Sequence, residues 1–135
     1  MITREQAYAA HIYTQVEALG RSHPQGTKER SQYGAMAHKL PILVRTAGLV
    51  QALAFVDTRR EAVHRQLLGH IAETVSLQRS EKLTADTLLK LSREAPLPEY
   101  MRLAQQVMAA LLWYKRFAQS VLDVAPGSDI ADTKS

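Results

Sequence analysis

HKLPILVRTAGLVQALAFV, residues 38–56, is the stretch of sequence that decides the fold. Twelve of the seventeen residues from Leu40 to Val56 are apolar, and Arg45 is the one charged residue among them. A helix at a protein surface has a single apolar stripe, whereas a helix that is apolar all round is buried. The stretch therefore predicts a central apolar helix near residues 41–56, surrounded by other helices. Proline is well tolerated at the first position of a helix, so we expect Pro41 to open it.

The same stretch is too short and too interrupted to cross a membrane. A membrane-spanning helix needs about 20 consecutive apolar residues, and Pro41, Arg45 and Gly48 interrupt this one. Gly48 falls inside the predicted helix, where glycine costs about 1 kcal/mol relative to alanine. We interpret Gly48 as a point where a neighbouring element packs closely.

Most of the remaining chain also has helical periodicity. Apolar residues recur every three or four positions, which places them on one helix face; the clearest series are Tyr8, Ile12, Val16 and Leu19, then Val63, Leu67, Ile71 and Val75, and then Val107, Leu111, Tyr114 and Ala118. Capping boxes are predicted at Thr3–Gln6 and Thr58–Glu61. The predicted helices include a first ending at Gly20, a second from Thr27 toward Leu40, a fourth ending near Gln78 and a sixth from about Glu99 to Leu122.

No segment alternates between apolar and polar residues for long enough to predict a strand. The sequence therefore predicts an all-α fold, a single compact bundle of about five or six helices within one domain, residues 1–124. Residues 125–135 hold too little apolar surface to fold and are predicted to be a disordered C-terminal tail. The chain has no cysteine, which excludes disulfides and thiolate metal sites. The first residues contain no apolar signal segment, so we expect a cytoplasmic protein.

Positive charge is concentrated in two parts of the chain. The net charge is +4, yet residues 21–56 hold five cations against one carboxylate, and residues 100–122 hold three cations and no carboxylate. The intervening residues 57–99 are balanced. An unbalanced basic block favours a polyanionic partner, of which nucleic acid is the commonest. Lys115 and Arg116 also interrupt an aromatic run, a pattern found both in nucleic-acid surfaces and in core stripes with a wet edge.

No catalytic, cofactor or metal site is indicated. Phosphate-binding glycine motifs are absent. Glu61 and His64 have the spacing of a helical iron-ligand pair, but a di-iron bundle needs two such pairs and two further glutamates. A charged, solvated helix face explains this pair more simply. Nothing in these residues argues for an enzyme, although catalytic groups can assemble from positions that are distant in sequence.

Two stretches together resemble a known family. The first is YGAMAHKLP, residues 33–41, followed by GLVQALAF, residues 48–55; the second is Tyr100 leading to WYKRFA, residues 113–118. In order and spacing they are similar to the small α-helical subunit of the type III-B (Cmr) CRISPR RNA-silencing effector complex. The resemblance spans about residues 3–122.

The resemblance implies a non-catalytic structural subunit of an RNA-targeting ribonucleoprotein. Several copies would stack beside the other complex subunits and line the path of the guide RNA and target RNA with basic residues. The candidate RNA-binding residues are Lys39, Arg45, Lys115, Arg116 and Arg30. We expect Lys39 and Arg45 to reach the surface at the N-terminal end of the central helix.

Two other functions stay open at this point. A helical DNA-binding regulator would need an exposed recognition helix, and the polar loop at residues 20–27 is long for a helix-turn-helix. A bundle enzyme with a metal at Glu61 and His64 is the other alternative.

Overall fold

The computed structural model describes residues 1–127, and these form six α-helices without any strand. The helices are α1 (Arg4–Ser22), α2 (Lys28–Ala47), α3 (Leu49–Arg59), α4 (Ala62–Ser76), α5 (Ala85–Glu94) and α6 (Leu97–Ser120). The predicted all-α fold is confirmed. Of the predicted tail at residues 125–135, residues 128–135 lie outside the described residues, so its disorder stays a prediction, as does the division into one domain.

Helix α2 is the central element of the bundle. It packs against α6, α3 and α4, while α1 packs on α6 and α4, and α5 closes the side formed by α3 and α4. Helices α2 and α6 run antiparallel, because Arg30 near the start of α2 contacts Leu122 and Gly48 after its end lies near Tyr100. The largest fully buried side chains come from α1, α2, α3, α4 and α6: Tyr8, Ile12, Leu19, Tyr33, Met36, Leu40, Leu49, Leu53, Leu67, Leu68, Ile71 and Tyr114.

The apolar stretch does not form one helix, which corrects our prediction of a single helix opened by Pro41. Pro41 lies inside α2, and the chain turns instead at Gly48, with φ 91° and ψ 163°. Only glycine adopts this backbone conformation without strain. The Gly48 amide closes α2 by donating to Val44 at 3.0 Å, and its carbonyl accepts from Ala52 at 3.1 Å to start α3.

Pro41 removes one hydrogen bond from the interior of α2, a change that usually breaks or kinks a helix. Packing outweighs this local preference, because Leu40 and Pro41 are both buried between neighbouring helices. The stretch is also less buried than expected, since Ile42 is 54% exposed. The buried apolar residues that we assigned to a single helix are therefore divided between α2 and α3.

Two of the predicted helix starts have different outcomes. Thr3 forms the predicted capping box with Gln6, and the two hydrogen bonds measure 2.9 and 3.1 Å. The capping box at Thr58 is wrong, because the Thr58 hydroxyl donates to the Phe55 carbonyl within α3. Helix α4 begins later, after Glu61. Thr58 therefore belongs to a helix that we expected to have ended before it.

A buried polar network joins four helices across the core. The Tyr33 hydroxyl bonds Nδ1 of His70 at 2.8 Å, linking α2 to α4. The Tyr114 hydroxyl donates to Gln15 Oε1 at 2.5 Å and lies 3.0 Å from the Thr74 hydroxyl, linking α6 to α1 and α4. Buried polar groups need such partners, so this network fixes the relative positions of the four helices.

The segment after α6 is seated against α2. The Val124 carbonyl lies 2.7 Å from His38 Nε2, and a Cβ placed on Gly34 would lie 2.6 Å from the Cβ of Val124. Gly34 and His38 both belong to the YGAMAHKLP motif, so the structure gives these two residues a packing role.

We predict that Gly34→Ala lowers the free energy of unfolding by about 1–3 kcal/mol, because the added methyl group must displace Val124. Gly69→Ala in α4 is the control, since a Cβ there meets nothing within 4 Å. That change should stabilise the chain by up to about 1 kcal/mol through helix propensity. Urea denaturation measures both, and equal effects at the two glycines would contradict the close contact at Gly34.

We also predict that acid weakens the fold through His70. Burial lowers the pKa of His70 to about 4 from 6.5, so in this range the unfolded chain binds a proton that the folded chain does not. The free energy of unfolding should therefore fall between pH 6.5 and 4, by up to about 1.4 kcal/mol per pH unit. Burial also lowers the pKa of His64, which adds to the fall in the same direction.

The measurement is urea denaturation across this pH range, with His70→Gln as the comparison. The variant should show a shallower dependence on pH than the natural chain. An unchanged slope would remove His70 as the source of the effect.

Candidate nucleic-acid interface

An open groove runs along the outer face of α6, and two candidate cations line it. Because 3.6 residues make one helical turn, Leu111, Tyr114 and Ala118 face the core. The exposed positions between and after them include Leu112, Arg116 and Gln119. The residues of this α6 groove are Leu112, Trp113, Lys115, Arg116, Gln119 and Ser120 from α6 and Glu5 from α1. Lys115 is half-buried and Arg116 is exposed. Within the described part of the chain, neither cation has an ion pair or a hydrogen bond.

Three aromatic rings form a half-exposed cluster beside the groove. The Trp113 and Phe117 rings stack with centroids 5.6 Å apart, and Tyr13 of α1 meets Phe117 edge-on at 5.5 Å. Trp113 and Phe117 pack against the core on one side, whereas Tyr13 is 45% exposed. The rings therefore border the core and also reach the surface, and their contact with nucleic acid stays a prediction.

Glu5 of α1 holds the indole of Trp113 on α6 through a hydrogen bond. Its Oε1 accepts a hydrogen bond of 2.9 Å from Trp113 Nε1, and its Oε2 lies 3.9 Å from a guanidinium nitrogen of Arg4. The groove is therefore basic along α6 and carries one carboxylate at its α1 wall.

Arg45 is exposed in the last turn of α2, which corrects its expected position at the start of a helix. A cation at this end is favoured by the helix dipole. Among residues 1–127, Arg45 has no ion pair. Its neighbour Val44 lines a second groove with Met108, and this groove shares Glu5 and Leu112 with the first. The residue before Arg45 therefore lines a groove that adjoins the groove of Lys115 and Arg116.

Lys39 lies on a different side of α2 from Arg45. Successive residues are about 100° apart around a helix, so the six positions from Lys39 to Arg45 leave the two side chains about 120° apart. The Lys39 ammonium lies 5.6 Å from the centroid of the Phe55 ring, and the Arg59 guanidinium lies 5.7 Å from the same centroid. The α3 side of the bundle therefore carries its own cation pair, which includes Arg59, a residue that the sequence did not single out.

Arg30 has a structural position, because four backbone carbonyls accept hydrogen bonds from its guanidinium. Its guanidinium donates to the carbonyls of Leu122 at 2.9 Å and Gly20 at 3.1 Å, and to those of Val121 and His23 at 3.3 Å. These carbonyls belong to the C-terminal ends of α1 and α6, where helix carbonyls lack partners within the helix. We therefore leave Arg30 out of the proposed RNA surface.

The Glu61–His64 pair is a local contact. His64 Nδ1 lies 3.8 Å from a Glu61 carboxylate oxygen, which also lies 4.0 Å from Arg59. Burial lowers the pKa of His64. Among the described residues, no group of three or more His, Asp or Glu side chains is placed to hold a metal.

The chain matches known proteins along nearly all of its described length. A family model described as CRISPR-associated protein (Cas_Cmr5) matches residues 4–121. A curated relative, CRISPR system Cmr subunit Cmr5 of Thermus thermophilus, is 39% identical over 123 residues, which cover 91% of this chain and 99% of that protein. The chain belongs to the Cmr5 family of CRISPR-associated proteins.

A solved structure agrees with this Cmr5 assignment. The crystal structure of a CRISPR-associated Cmr5 family protein from Thermus thermophilus superimposes with a TM-score of 0.76 and 40% identity, covering 90% of this chain and 98% of that chain. The family resemblance of the sequence motifs is confirmed. The assignment does not favour the DNA-binding regulator.

Sequence reasoning missed Glu5, Arg4 and Leu112 as parts of the candidate Cmr5 surface. These residues come together because α1 packs on α6. No local sequence pattern predicts which two helices pack against each other. Of these three, only Leu112 could have been noticed in the sequence, because it is an apolar residue outside the predicted core stripes of its helix. In residues 1–127, no helix has the length and apolar character needed to span a bilayer.

We predict different stability effects for two arginines of α2. Arg30→Ala should lower the free energy of unfolding by about 2–4 kcal/mol, because it removes charge-assisted hydrogen bonds from partly buried carbonyls. Arg45→Ala should change it by no more than about 0.5 kcal/mol, as is usual for an exposed side chain. Urea denaturation of the two variants provides the test. A neutral Arg30→Ala would return Arg30 to the candidate RNA-binding cations.

Proposed function

We propose that this chain is a non-catalytic structural subunit of a type III-B Cmr effector complex, located in the cytoplasm. Its partners would be the other subunits of that complex, the guide RNA and target RNA, and further copies of itself. The observation that carries the proposal is the family membership, because the Thermus relative of nearly equal length is named a Cmr subunit.

The charge distribution supports an RNA-contacting role. Lys115 and Arg116 line the α6 groove. Arg45 is exposed and follows Val44, which lines the adjoining groove. Lys39 lies on the α3 side with Arg59. Cations that meet phosphates give affinity that is independent of sequence. Sequence specificity would then come from pairing between guide and target.

The surroundings of the histidines support a role without catalysis. His38 is bonded to the Val124 carbonyl, and His70 to the Tyr33 hydroxyl. His64 is buried next to Glu61, away from any groove described above. A general base must reach a substrate proton. Of the five histidines, His38 and His64 are buried and His70 is bonded to Tyr33.

Stacking of copies is supported by exposed apolar side chains near the start of α6. Leu97 is 68% exposed and Met101 is 54% exposed, and Ile42 of α2 is 54% exposed. Head-to-tail stacking joins two different surfaces of the same subunit. We propose that the exposed start of α6, with Leu97 and Met101, belongs to one of the two.

We predict that the chain binds single-stranded RNA with strong salt dependence. The logarithm of the binding constant should fall with the logarithm of salt concentration, with a slope of about −0.7 for each phosphate neutralised. Gel-shift titrations at several salt concentrations measure this slope. On a strand several sites long, successive bands should appear as copies add.

Paired variants distinguish the loss of cations at the proposed RNA surface from the loss of the same positive charge elsewhere on the protein. Lys115→Ala with Arg116→Ala, and Lys39→Ala with Arg45→Ala, should each weaken binding and make the slope shallower by roughly 0.7 per lost contact. Lys90→Ala with Arg93→Ala removes the same charge from exposed positions of α5 and should change little. Equal effects of all three pairs would overturn the assignment of the surface.

A further inference from the structure

We propose that the α6 groove holds an unpaired nucleobase of single-stranded RNA, stacked on the indole of Trp113. The neighbouring phosphates would lie on Lys115 and Arg116. This inference rests on the proposed RNA contact and deepens it, since it assigns a base-binding subsite where charge alone would contact only the backbone.

The indole is held ready for such a contact. Trp113 lines the groove, while Phe117, which stacks against it, does not. The hydrogen bond from Nε1 to Glu5 fixes the rotation of the ring. A ring held by two partners loses little freedom when a ligand stacks on it, so more of the stacking energy appears as affinity.

The charges in the groove favour different positions for the base and the phosphate of a nucleotide. Lys115 and Arg116 are two and three residues beyond Trp113 on α6, and both line the same groove. Glu5 lies on the indole side, where its carboxylate repels a phosphate. A nucleotide in the groove is therefore favoured with its uncharged base over the ring and its phosphate over the cations.

The occupant fits a nucleobase better than an apolar protein segment. Every base has a π face that stacks on an aromatic ring without sequence preference, and the flanking cations match the adjoining phosphates. Within a duplex, stacking on the neighbouring base pairs covers both faces of a base, so the site takes an unpaired or flipped-out nucleotide.

Trp113 is the only tryptophan of the chain, so its fluorescence reports on this site alone. A short single-stranded RNA should quench the emission, and an abasic strand of equal length and charge should bind about tenfold more weakly, within the range that stacking of one base supplies. Duplex RNA should cause little quenching. Because these three probes act on the natural chain, the test does not depend on any variant folding.

Variants then test the ring itself by gel shift, with circular dichroism as the check on folding. Trp113→Phe keeps an aromatic face and should retain most of the preference for the base-bearing strand, whereas Trp113→Leu should lose it. Tyr13→Leu is the matched control, since Tyr13 belongs to the same cluster but does not line the groove.

The outcomes separate this inference from the proposed function. Equal binding of the base-bearing and abasic strands, without quenching, would overturn the base site and leave the RNA-contacting role intact. Absence of binding by any strand would overturn both. Quenching by an acidic, apolar peptide but not by RNA would assign the groove to a protein partner instead.

Discussion

The antiparallel packing of α2 against α6 is the constraint on which the rest of this structure depends. It is fixed at one end by Gly34, which leaves room for Val124, and at the other by Gly48, which brings the start of α3 near Tyr100. The polar network of Tyr33, His70 and Tyr114 links α4 and α1 to this pair. Since α1 and α6 together form the groove walls, the surface proposed to meet RNA is a by-product of how the core is assembled.

The basic surface is therefore a composite. Lys115 and Arg116 come from one helix, while the carboxylate that orients Trp113 comes from another. The mixture of signs has a physical use. A uniformly positive groove would hold the backbone of any nucleic acid equally well, whereas a groove with one acid beside an aromatic ring distinguishes where a phosphate and where a base can lie. Family membership supports the role as a Cmr subunit, and the groove supports the proposed base-binding site.

The all-α fold and most of the core were predictable from the sequence because helical periodicity and caps are local signals. The Thr3 capping box and the apolar stripe of α6 are as predicted. The position of the break at Gly48 was not predictable, since Pro41 is the stronger local signal and tertiary packing overrides it. The basic blocks were visible, but the separation of Lys39 from Arg45 depends on helix phase. Arg30 looked like its neighbours in sequence, and only the approach of two helix ends explains its environment.

Arg30 also bears on the order in which the chain assembles. It joins carbonyls at the ends of two helices, and its bond to Leu122 spans 92 residues of sequence. Contacts that close so long a loop form late, because the loss of chain entropy must be met before they contribute. Interactions absent from the folding transition state slow unfolding without speeding folding. We therefore expect the bond from Arg30 to Leu122 to act chiefly on the lifetime of the folded state.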